Sequence, residues 1–170
     1  MSLNKSYCVI PNQLYAGAIP ASEDTTITED RIKHLKELGI ALIINLMESD
    51  ERNYDGKLFS DYTNIAAQQG IAVSRISIRD LSVPTFTQMR EILDLINQSI
   101  INDKKVYVHC WGGIGRTGTV VGCYLIENKF ASRENVFNQI QELKSQSDLA
   151  DRYSPETEEQ MDFVVGWTSN

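Results

Sequence analysis

The sequence predicts an α/β fold, a central and mostly parallel sheet with helices on both faces, in a single domain over residues 1–170. Three observations predict it. Strand-like and helix-like periodicities alternate along the chain, the pattern of parallel strands joined by crossover helices. The segment Ile40–Asn45 is apolar almost throughout, as strands covered on both faces are. The 170 residues, 42% of them hydrophobic, are enough for one core, and no repeat, low-complexity tract or linker divides them.

Each element has a local reason. Residues 7–11 and 14–16 read as short strands broken at Pro11-Asn12. Thr26-Ile27-Thr28-Glu29 has capping-box spacing ahead of a helix whose Ile32, Leu35 and Leu38 share one face, and Gly39 stands where a C-terminal cap belongs. After the Ile40–Asn45 strand, Leu58, Phe59, Tyr62, Ile65 and Ala66 have helical spacing up to Gly70, and residues 71–78 alternate as a strand. Thr85-Phe86-Thr87-Gln88 is a second capping box, ahead of the stripe Phe86, Met89, Ile92, Leu93, Ile96 and Ile100. Residues 106–109 form a short β-branched strand. Helices are expected over 117–128, 132–144 and 155–167, with Pro155 suited to a first turn.

Composition narrows the function. A net charge of -7 argues against a nucleic-acid groove or a polybasic membrane surface, both of which need clustered Lys and Arg. The first ten residues hold no long apolar segment, and the most apolar run is far short of a membrane span, so a cytoplasmic protein without membrane anchoring is expected. Cys8, Cys110 and Cys123 are odd in number and lack metal-type spacing. Neither a disulfide framework nor a metal site is expected, and Cys8 and Cys123 read as inert small hydrophobes.

Residues 106–122, VYVHCWGGIGRTGTVVG, carry two incompatible readings. From Gly113, G-I-G-R-T-G matches the dinucleotide fingerprint. That fingerprint needs an acidic ribose ligand about 20 residues on, at the end of a following strand. Here the offset falls at Arg133-Glu134, where a helix opens, and no strand follows. The P-loop signature fails too, for lack of its lysine.

The other reading starts at Cys110. A loop running from a strand into a helix can turn the N–H groups of Trp111, Gly112, Gly113, Ile114 and Gly115 inward as an anion nest, with the helix N-terminus adding positive potential. Arg116 can lay its planar fork on two phosphate oxygens. A thiol between a helix N-terminus and an arginine ionises more readily than a free one, so one loop both activates the nucleophile and binds its target. Thr117 is expected to donate its hydroxyl to the thiolate. His109 is assigned a supporting role, fixing the loop or tuning the sulfur, and Trp111 either lines the pocket rim or packs.

His109-Cys110-x5-Arg116-Thr117 resembles the signature of the cysteine-dependent protein tyrosine and dual-specificity phosphatases. The resemblance extends to Leu14-Tyr15-Ala16-Gly17 as an entry strand and to residues 41–46 as a central strand. It implies a tyrosine phosphatase-like fold and a phosphoric monoester hydrolase that works through a phosphocysteine intermediate without metal or cofactor. The implied partner is a phosphorylated protein or small phosphate ester. The family also uses an aspartate on a separate upstream loop as general acid, and in Ile78-Arg79-Asp80-Leu81-Ser82-Val83-Pro84 that place falls to Asp80. Residues 154–163 look like the family's Q-T-x-x-Q segment with Glu156 replacing the first glutamine. Gln160 is then expected to position the hydrolytic water.

Phosphotyrosine, alone or with phosphoserine and phosphothreonine in proteins, is the expected substrate. Glu51-Arg52-Asn53-Tyr54 is a scrambled echo of the longer members' recognition loop. One alternative is a phosphoinositide or inositol phosphate, against which stands the absence of lysine between Cys110 and Arg116. The other is a catalytically weak phosphate-binding module, against which stand Cys110, Arg116 and Asp80 together.

Overall fold

A computed structural model describes residues 3–168; Met1 and Ser2, part of the stretch inspected for a leader, lie outside the described residues. In chain order the elements are β1 (Ser6–Ile10), β2 (Leu14–Ala18), α1 (Thr25–Glu37), β3 (Ile40–Asn45), α2 (Thr63–Gln68), β4 (Ala72–Arg75), α3 (Phe86–Ile101), β5 (Lys105–Cys110), α4 (Gly115–Glu127), α5 (Val136–Lys144) and α6 (Glu158–Val165). The sheet order is β1-β2-β5-β3-β4. Only β1 runs antiparallel to its neighbour, so β2, β5, β3 and β4 end on the same edge.

Helices cover both faces, as the fold class predicts. On one face Leu14, Leu42, Ile44, Val106 and Val108 join a core with Met89, Ile92 and Ile96 of α3, Val120 and Val121 of α4, and Val164 of α6. On the other, Ile40, Ile43 and Tyr107 meet Ile32 and Leu35 of α1 and Ala66 of α2. Each fully buried aliphatic side chain contributes about 1.5–3 kcal/mol, so burial on two sides makes the sheet a firm platform for the loops at its edge. No helix among the described residues is long and apolar enough to cross a membrane.

Several boundaries differ from the sequence expectation, each for a physical reason. The helix α1 is capped by Asp24, whose carboxylate accepts from the N–H groups of Thr26 and Ile27, and not by a box starting at Thr26. Residues 58–62 stay outside α2 because Leu58 bridges to Arg52 and Phe59 packs on Trp111. The strand expected over 71–78 is regular only in β4. Beyond Arg75 the chain still bonds back, Ile76 N–H to Asn45 O and Ile78 N–H to Leu46 O, but β3 has already ended. Glu134 lies in a turn before α5, not in its first turn. The last helix opens at Glu158 behind a capping box of Thr157 and Gln160. The Thr85 box and the Gly39 cap, with φ +85, form as expected.

Candidate active site

The loops after all four parallel strands meet at one edge, where ligands of open α/β sheets bind. β5 ends at Cys110, β3 leads into the segment holding Glu51, β4 leads to Asp80, and β2 runs on to Ile19, whose N–H bonds Trp111 O at 3.1 Å.

Alternation along β5 sends Val106, Val108 and Cys110 into the α3/α4 core and Tyr107 and His109 to the opposite face. Cys110 is 3% exposed. His109 is wholly buried, and its Nδ1–H donates to Cys110 O at 3.1 Å while Nε2 accepts from the Tyr62 hydroxyl at 2.5 Å. Burial pushes its pKa down to about 3, so the ring is neutral and its two bonds fix one tautomer. A neutral histidine that holds the carbonyl of the cysteine is a support for the loop.

The loop between β5 and α4 turns on Gly113, at φ +74. A Cβ there would lie 2.4 Å from the Gly17 carbonyl carbon and 2.6 Å from Ala18 N, so both conformation and close approach to β2 demand glycine. Ile114 O accepts the Ser154 hydroxyl at 2.7 Å and Gly118 N–H at 3.0 Å, and a Cβ on Gly118 would meet that Ser154 oxygen at 2.0 Å. The C-terminal segment thereby locks the loop from behind.

Arg116, the second residue of α4, is 1% exposed. Its Nη2 lies 3.0 Å from Glu51 Oε2 and 2.9 Å from Asp80 Oδ1; its Nη1 bonds Glu51 Oε1 and donates to Ile78 O at 3.0 Å. Burial alone would lower the guanidinium pKa. The Glu51 hydrogen bonds and the charges of Cys110, Glu51 and Asp80 outweigh it and hold the group above its ordinary value. The buried Nε–H has no acceptor among the described residues. Such an orphan costs about 1–3 kcal/mol, and an oxyanion is the group that would satisfy it.

Asp80 shares that guanidinium but is 46% exposed. It sits in a turn closed by Ser82 N–H to Arg79 O, followed by Leu81 at φ +60. Gln160 is wholly buried, and its Nε2–H donates to Ser82 O at 3.1 Å. Its Oε1 accepts from Glu156 N–H and Thr157 N–H at 3.1 and 3.2 Å. Both ends of the amide are therefore engaged, the carbonyl by the helix cap and one N–H by the Asp80 turn.

The Thr117 side chain is wholly buried. Its hydroxyl reaches Gly17 O at a long 3.5 Å and makes no hydrogen bond to the Cys110 sulfur among the described residues. Trp111 is half-buried, with its ring 4.7 Å from Tyr54 and 5.2 Å from Phe59. Gly112 and Gly115 flank the turn, Gly115 as the first residue of α4. The glycine run leads only to further helices, α5 and α6, so the second strand of a dinucleotide fold is absent among the described residues.

Three residues escaped the sequence reading. Glu51 had a signal: it follows the carboxyl end of a buried strand, and a buried arginine needs carboxylate partners. Tyr62 and Ser154 act across 47 and 40 residues of sequence, where no local pattern points to them.

Residues 17–129 match a family model described as "Polymorphic toxin system, DSP-PTPase phosphatase". Among curated proteins, the phosphatidylglycerophosphate phosphatase PTPMT2 of Arabidopsis thaliana is 30% identical over 136 residues, 79% of this chain and 54% of that protein. The Arabidopsis PTPMT1 is 28% identical and matched over 36% of its length. The chain thus spans about half of the first and a third of the second. The human dual specificity protein phosphatase CDC14C is 30% identical over 59% of this chain and 20% of its own. Among solved structures, Tk-PTP in its active form superposes with a TM-score of 0.74 at 23% identity, covering 94% of this chain and 93% of its own. PTPMT1 in complex with PI(5)P superposes at 0.70 and 18% identity, covering 95% and 92%.

Proposed function

The chain belongs to the cysteine-dependent tyrosine and dual-specificity phosphatases, and from that premise we propose that it hydrolyses phosphotyrosine, or phosphotyrosine with phosphoserine and phosphothreonine, in proteins through a phosphocysteine on Cys110. The observation that carries the chemistry is Arg116: a buried guanidinium beside Cys110 with one N–H unsatisfied. The aromatic group Tyr54, Phe59 and Trp111 at the edge of the loop supports an aryl ester.

In the first step the Cys110 thiolate attacks phosphorus in line and the P–O bond to the leaving group breaks. Backbone N–H groups of residues 111–115 and the Arg116 fork hold the equatorial oxygens, so the barrier falls by positioning and electrostatics. Phosphate oxygens compete with Asp80 for Arg116. Released from that partner, the Asp80 carboxylic acid gives its proton to the departing oxygen. In the second step water attacks the phosphocysteine, Asp80 takes its proton, and the P–S bond breaks to return the thiolate and free phosphate. Glu51 holds Arg116 in place throughout, and Gln160 holds the Asp80 turn.

A second substrate reading is a phospholipid, favoured by the names of the two Arabidopsis relatives. Rates on phosphotyrosine, phosphoserine and phosphothreonine peptides and on phosphatidylglycerophosphate in mixed micelles separate the two, with Cys110→Ser as control. The first reading expects the phosphotyrosine peptide to be turned over fastest. Faster lipid turnover overturns the substrate assignment, and turnover near wild type in Cys110→Ser overturns the mechanism.

A further inference from the structure

Beside the reactive loop lies a cleft of about 360 Å³ whose wall includes Trp111 and Gly112 of that loop, and Phe59. Its other side carries two cations, Lys5 ahead of β1 and Arg31 on α1, and one carboxylate, Asp148. Lys5 is exposed and makes no ion pair among the described residues. Among the described residues the Arg31 guanidinium bonds the carbonyls of Pro20 and Ala21, at 3.5 and 3.4 Å, and forms no ion pair. The Tyr107 hydroxyl bonds Ala18 O where β2 passes the reactive loop.

We propose that this cleft is a subsite for an acidic side chain next to the phosphotyrosine of a protein substrate. The inference rests on the phosphotyrosine reading above. Residues 111–115 of the reactive loop carry no charge, so Arg116 is its one cationic side chain. A second anion on the substrate must find its partner outside, and the cleft that shares Trp111 and Gly112 with the loop offers one. The charge balance selects the ligand: two cations facing one carboxylate leave a single positive charge, which suits a glutamate or aspartate. A second phosphate, carrying up to two charges beside Asp148, is disfavoured by like-charge repulsion. The apolar part of the wall receives the methylene stem.

The test compares one phosphotyrosine peptide flanked by glutamates with the same peptide flanked by glutamines, at low salt. The glutamate peptide should show about fivefold higher kcat/KM, the scale of two partly exposed ion pairs. That ratio should fall toward one in Lys5→Gln/Arg31→Gln and halve in Lys5→Gln alone, a surface change that leaves folding intact. Hydrolysis of 4-nitrophenyl phosphate should be unchanged in both variants. Equal rates on the two peptides in the wild type, or a preference that survives the double substitution, overturn the subsite. So does a Lys5- and Arg31-dependent preference for glycerol bisphosphate over the glutamate peptide, which would assign the cleft to a polyphosphate headgroup. Absence of 4-nitrophenyl phosphate turnover in the wild type would instead count against the phosphatase reading itself.

Discussion

The loop after β5 and the turn around Asp80 face each other across Arg116, and they are held in opposite ways. The first is fixed from every side: Gly113 against the Gly17 backbone, Ser154 on Ile114 O, His109 on Cys110 O, with Cys110 and Arg116 buried. The second has Asp80 and Leu81 about half exposed, and it is tied by the Arg116 ion pair, one turn bond and the Gln160 amide. The difference matches the tasks assigned to them. A nucleophile and its oxyanion donors gain from preorganisation, because reorienting dipoles during reaction costs barrier height. A general acid must let a leaving group in and out, so weaker tethering serves it.

The comparison can be broken most severely at Gly113. Gly113→Ala places a Cβ on the Gly17 carbonyl in a left-handed backbone, and about 3 kcal/mol or more of stability together with nearly all turnover should be lost. Thermal unfolding and 4-nitrophenyl phosphate hydrolysis check this, and a wild-type Tm with wild-type turnover would show that the loop is not rigid. Next in size, Asp80→Asn should lower kcat about 10²–10³-fold on phenyl phosphate, a poor leaving group, and much less on 4-nitrophenyl phosphate, with Tm little changed. Equal losses on both esters would remove Asp80 from the acid role.

Gln160→Leu sharpens the comparison further, because it releases the turn without touching the nucleophile. It should cost about tenfold on the poor leaving group and little on the good one, since only proton donation depends on the turn. A uniform loss would make Gln160 a stability residue only. The smallest effect at neutral pH concerns His109. Its folded pKa, about 3, lies below the unfolded value of 6.5, so the unfolded chain takes up the proton first as pH falls. This group costs no stability above pH 6.5 and about 1.4 kcal/mol per pH unit between there and about pH 3. In His109→Gln the Tm should fall less steeply over that window; an unchanged slope would mean that His109 is not held neutral.

The difference between the two loops also explains what could be read in advance. The β5 strand, its glycine turn and Arg116 are contiguous, and their chemistry is set by spacing along seven residues from Cys110 to Arg116. The Asp80 turn was placed by resemblance, and its tether was not foreseen, because Gln160 reaches it across 78 residues. The same limit hid Glu51, which binds Arg116 across 65 residues. Residues 26–29 have the spacing of a capping box, yet Asp24 takes the cap because the turn before α1 brings its carboxylate to the Thr26 and Ile27 N–H groups. Leu58 and Phe59 have helical spacing in sequence, while a backbone bridge from Leu58 to Arg52 and the packing of Phe59 on Trp111 hold them in the loop.

The central claim is that Cys110 carries the phosphoryl group between the two steps. Rapid acid quench during turnover of a phosphotyrosine peptide, followed by mass spectrometry of the protein's fragments, tests it directly. One phosphoryl group should appear on the fragment containing Cys110, accumulate further in a variant slowed at the second step such as Asp80→Asn with 4-nitrophenyl phosphate, and be absent in Cys110→Ser. Steady turnover with no phosphoryl group on that fragment, and with Cys110→Ser still active, would contradict the account.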